Sequence, residues 1–71
     1  MNATETARVQ KYLREKFANN RIKVVRRGAT DDSVEVFMDD EFIGVIYRDE
    51  DEGEVSYAFH MTILDMDLPE L

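Results

Sequence analysis

Asp49, Asp51 and Glu52 crowd together just before Gly53, and hard carboxylate oxygens at such close spacing are what calcium or magnesium takes. The EF-hand pattern does not fit them. With Asp49 as the first loop position, Gly53 falls fifth instead of sixth, and His60 stands twelfth, where a bidentate Glu belongs. The segment reads as a solvated hairpin tip, and no metal is expected. His60 is the only histidine and the chain has no cysteine, so a zinc site or a catalytic dyad lacks its second member. Ser33 and Ser56 sit outside any G-x-S-x-G turn, and three glycines in the chain make no phosphate-binding loop. The expectation is a non-enzyme with no cofactor and no small-molecule substrate.

Charge is the other chemistry on offer. Residues 1–27 hold eight Lys or Arg against two acids, whereas residues 28–71 hold one Arg against fourteen acids, which together make the net charge of −7. Arg8, Lys11, Arg14, Arg21, Lys23, Arg26 and Arg27 are therefore candidate contacts for a nucleic acid or another anion. The acidic total and the lack of aromatics interleaved with these cations argue against that use. Binding of nucleic acid is kept as the alternative reading.

These residues must be positioned by a small fold. Seventy-one residues form one domain with a thin core, without disulfides to staple it. No apolar stretch is long enough to cross a membrane and the polar, acidic start is unlike a secretion signal, so a cytoplasmic protein is expected. Asn2 followed three residues later by Glu5 is a capping box, predicting a helix over 3–18. Val9, Tyr12, Leu13 and Phe17, with the methylenes of Lys16, fall on one stripe as its buried face. Arg8, Lys11, Arg14 and Glu15 take the solvent side, and Asn19-Asn20 supplies the left-handed stop.

Beyond Arg21 the hydrophobic period changes to two, and strands are expected over 21–26, 33–38, 41–48 and 54–64, followed by a tail over 65–71. The first two are joined through the turn-rich segment 28–32. Asp39-Asp40 favours a four-residue over a two-residue loop, but either places Val36 opposite Ile43 and Val34 opposite Val45. A three-residue loop after the third strand sets Tyr47 against Val55, Val45 against Tyr57 and Ile43 against Phe59. One sheet face then gathers Val34, Val36, Ile43, Val45, Tyr47, Val55, Tyr57, Phe59 and Met61 for the helix to cover. The fold is α+β, an N-terminal helix packed on one face of a four-stranded antiparallel meander.

The opposite face carries a second apolar patch, Phe37, Phe42 and Ile46, around Gly44 and Ala58. Only the tail, with Met66, Leu68 and Leu71, or another protein can shield it. The patch and an apolar last edge strand point to a protein partner or self-association, with Phe37, Phe42 and Ile46 as the candidate interface.

The runs Asp40-Glu41-Phe42-Ile43-Gly44-Val45, Arg48 through Tyr57, Met61-Thr62-Ile63-Leu64-Asp65 and Asp67-Leu68, together with Tyr12-Leu13 and Asp32 through Val36, carry a family resemblance. The chain resembles a small alphaproteobacterial family, the domain of unknown function 3126. That resemblance implies a single-domain bacterial protein and brings no assigned site residues with it.

Overall fold

The computed structural model describes residues 1–28 and 32–71. Helix α1 (Ala3–Lys16) is followed by strands β1 (Ile22–Arg26), β2 (Ser33–Met38), β3 (Glu41–Asp51) and β4 (Glu54–His60), then a 3₁₀ turn at Asp65–Asp67. The strands form one antiparallel sheet in the order β1-β2-β3-β4. The α+β meander expected from the sequence is thus what forms. The part of the 28–32 connection at residues 29–31 lies outside the described residues.

The capping box starts α1 as the spacing requires: Asn2 Oδ1 accepts from the Glu5 N–H at 2.7 Å, and Glu5 Oε1 accepts from the Asn2 N–H at 3.4 Å. At the other end the left-handed residue is Ala18 (φ +50°), not Asn19 or Asn20. The Asn19 N–H reaches the Arg14 carbonyl at 3.0 Å and the Ala18 N–H reaches that of Glu15 at 3.3 Å, a Schellman closure. Asn19 contributes differently, its side chain accepting from the Arg21 N–H at 2.8 Å.

The core joins Leu13 of α1 and Met1 before it to Ile22 and Val24 of β1, Val34 and Val36 of β2, and Ile46 of β3. Val9, Met38, Ile43 and Phe59 pack around this set. The predicted helical stripe is only half used. Leu13 is buried and Val9 partly so, joined by Thr6, but Tyr12 and Phe17 are 62% and 54% exposed. Arg14, expected on the solvent side, turns to β1: its Nε donates to the Ile22 carbonyl at 2.7 Å. Gln10 Oε1 accepts from the Val24 N–H at 3.0 Å, so two helix side chains occupy the outer edge of β1.

Strand β3 is inverted relative to the sequence reading. The turn between β2 and β3 is a tight two-residue one, with Asp39 and Asp40 both at positive φ (+52° and +66°) and Met38 paired with Glu41. Phe37 pairs with Phe42, but a bulge then shifts the register, so Val36 meets Gly44 and Val34 meets Ile46. The next turn is also a two-residue one, Glu52-Gly53 at φ +51° and +82°, giving Arg48↔Tyr57, Ile46↔Phe59 and Val45↔His60. Ile46 and Gly44 consequently face the helix, while Val45 and Tyr47 pass to the other face. β4 ends at His60, which pairs with Val45, and Met61 through Leu64 continue outside the sheet. Gly44 tolerates no side chain: a Cβ there meets the His60 carbonyl oxygen and stands 2.6 Å from Phe59 Cε1.

Candidate functional site

Three surfaces collect the unusual side chains. The first is a groove of about 480 Å³ between α1 and β4, walled by Val9, Tyr12, Leu13, Ile46, Tyr57 and Phe59, with Arg8 on its rim. It exists because α1 packs over the β1 side of the sheet and leaves the β4 side uncovered. One end is closed by a polar network. Glu5 Oε2 accepts from Arg48 Nε at 2.9 Å and from the Tyr57 hydroxyl at 2.7 Å, and Arg48 Nη2 also lies 3.8 Å from Glu50.

The network perturbs its own members. The Tyr57 hydroxyl, with help from the Asn2 backbone and Arg48, holds the Glu5 carboxyl below the usual glutamate range. Hydrogen bonding to Glu5 in turn raises Arg48, and it raises Tyr57 together with the partial desolvation of that ring. Glu5 thus serves the helix cap with one oxygen and β3–β4 with the other. The sequence marked Glu5 only as a cap, and Tyr57 as apolar core. Arg48 carried a signal, since it is the single cation of an acidic half and needs a reason to be there.

The second surface is the sheet face away from the helix. Phe37 and Phe42 stack edge-on with centroids 5.8 Å apart, and Phe42 is 51% exposed. Ile46 does not join them, because the inversion of β3 buries it in the core at 2% exposure. Tyr47 takes part instead, packing edge-on against His60 at 5.3 Å, with Val25 exposed on β1. A hollow of about 690 Å³ lies along this side, lined by Phe42, Val45, Tyr47 and His60 and, from the tail, by Thr62, Leu64 and Asp67. The tail reaches this face but leaves Phe42 and Tyr47 half open.

The third surface is the basic one, and its members are divided. Arg21 Nε lies 2.8 Å from Asp39 and Lys23 Nζ lies 3.8 Å from Asp40, so the acids of the β2–β3 turn answer two of them. Arg14 is held on β1 and Arg27 Nη1 lies 3.4 Å from Ser33 Oγ. Arg8 and Lys11 remain exposed on α1, and Arg26 on β1. Among the described residues, no group of three or more His, Asp or Glu is placed to hold a metal; Asp51 pairs with Glu54 across the hairpin tip. No described helix is long and apolar enough to cross a membrane.

Helix and meander thus define a small α+β protein. The chain belongs to the family described as Protein of unknown function (DUF3126), which it matches over residues 5–67. No curated protein and no solved structure matches it.

Proposed function

We propose that this protein is a non-enzymatic interaction module of the bacterial cytoplasm, which binds other protein surfaces through the open side of its sheet. The observation that carries the reading is the uncovered face bearing Phe37, Phe42 and Tyr47, which α1 cannot reach from the opposite side. Burying large apolar side chains of this kind contributes about 1.5–3 kcal/mol each, enough to drive association. Nucleic acid as the partner has weaker support, because Arg21 and Lys23 already face acids of the same chain.

The test is affinity capture from the native organism with the full chain, wild type beside Phe42→Asp, followed by mass spectrometry and an assay for nucleic acid. Proteins held by the wild type and lost from a folded Phe42→Asp variant are the expected result. Equal capture by both, or unfolding of the variant, would sink the reading. Nucleic acid held at low salt and lost with Arg26→Ala and Arg27→Ala would replace it with the alternative.

A further inference from the structure

Helix α1 carries more apolar surface than its own chain covers. Tyr12 and Phe17 continue the stripe of Val9 and Leu13, yet both are largely exposed, and Tyr12 lines the groove that Tyr57 and Phe59 wall from β4. A complementary element is present elsewhere in the molecule. The tail exposes Ile63, Met66 and Leu68, with Met66 84% exposed on the 3₁₀ turn at Asp65–Asp67.

The charges match as well. Residues 61–71 carry Asp65, Asp67 and Glu70 and no cation, while the groove rim carries Arg8, and Lys16 follows Tyr12 one turn further along the same stripe. Glu5, the acid of the groove, is already engaged by Arg48 and Tyr57. The tail runs along the opposite side of the sheet, where Thr62, Leu64 and Asp67 line the hollow with Tyr47 and His60. The sheet therefore stands between the tail and the groove of its own chain.

We propose that the groove between α1 and β4 receives the acidic, apolar 63–71 tail of a second copy, with two tails exchanged about a two-fold axis. This deepens the interaction reading and rests on it, but uses a different face from Phe42. Met66 and Leu68 enter against Tyr12 and Phe59, and Asp65 and Asp67 meet Arg8 and Lys16 at the rim. Reciprocal exchange closes the assembly at two copies, where one-way insertion would continue into a chain.

Sedimentation equilibrium and disulfide trapping, both on the full chain, decide it. The wild type is expected to be a dimer, and Met66→Asp with Leu68→Asp, both at exposed sites, a folded monomer by circular dichroism. Phe42→Asp should remain dimeric. Arg8→Glu should weaken the dimer several-fold, and Asp67→Arg added to it should recover part of the loss. With no native cysteine to interfere, a mixture of Tyr12→Cys and Leu68→Cys chains should form a mixed disulfide between copies. A wild type that stays monomeric overturns the exchange while leaving the interaction reading to the capture experiment. A dimer indifferent to Met66→Asp with Leu68→Asp, one without the mixed disulfide, or an open-ended polymer also overturns it. So does a chain carrying both cysteines that closes on itself as a monomer.

Discussion

β1 buries Ile22 and Val24 beneath α1 and has Arg14 and Gln10 on its outer edge, whereas β4 keeps every residue but Phe59 largely exposed and has no strand beyond it. Both are edge strands of one sheet, built from similarly apolar residues. What separates them is the position of the helix. Because α1 follows the β1 side, its polar side chains can satisfy backbone groups there and block the addition of another strand. On the β4 side the helix is tied from Glu5 to Arg48 and Tyr57. A short chain with one helix can close one edge well. The other edge and its apolar walls stay largely exposed.

The strongest test of this contrast is a pair of truncations. Ile46→Ala removes a fully enclosed side chain where β2, β3 and α1 meet, and should cost about 2–5 kcal/mol in chemical denaturation. Val55→Ala on β4 should stay within about 0.5 kcal/mol, as surface changes do. Equal costs would show that β4 is as embedded as the core. Gly44→Ala sharpens the same point, since a Cβ there meets β4 backbone rather than a yielding side chain. The expected loss is about 1–3 kcal/mol, with faster amide exchange concentrated in β4 and little change in β1.

The contrast was partly visible in the sequence. Alternation on β1, β2 and β4 assigned their faces correctly, and Asn2 with Glu5 placed the helix start. β3 was turned over by two errors of parity that cancelled. The bulge beside Val36 moved it by one residue against β2, and the tight Glu52-Gly53 turn moved it by three against β4, both odd shifts that reverse the face. Each neighbour therefore agreed with the wrong orientation, and the apolar face looked complete. Two local signals pointed the other way: a glycine inside a strand, which marks a bulge or close backbone approach, and a residue-glycine pair at a hairpin tip. Tyr12 and Phe17 were beyond reach for another reason. Their spacing identifies an apolar stripe, but nothing in spacing says whether the covering surface belongs to the same chain.

A smaller effect should follow from uncovering the β1 edge. Gln10→Ala leaves the Val24 N–H without its side-chain acceptor at a site only partly open to water, so a cost of about 1 kcal/mol is expected. The more telling readout is exchange of the Val24 amide, which should rise toward the rates of β4. An unchanged rate would mean that burial beneath α1, and not the Gln10 hydrogen bond, protects this edge.

The smallest effect concerns the tie on the β4 side, and it has a pH signature. Glu5 has its folded pKa below the ordinary value of about 4.3, first because the Tyr57 hydroxyl donates to it, so its contribution to stability is present above that value and is lost as pH falls through the lower folded pKa. Tyr57 is shifted the opposite way, above its ordinary value of about 10, first through the same hydrogen bond, so its contribution is complete below that value and fades as pH rises through the folded pKa. The network is thus strongest between these limits. Thermal melts across pH should show a shallower acid limb in Tyr57→Phe and the alkaline limb of this residue removed, while Gln10→Ala keeps both. Parallel curves for wild type and Tyr57→Phe would show that the tie carries no stability. At acid pH the exchange of β4 amides should rise before that of β1, because protonating Glu5 weakens its tie from α1 to Arg48 and Tyr57 while leaving Arg14 and Gln10 in place.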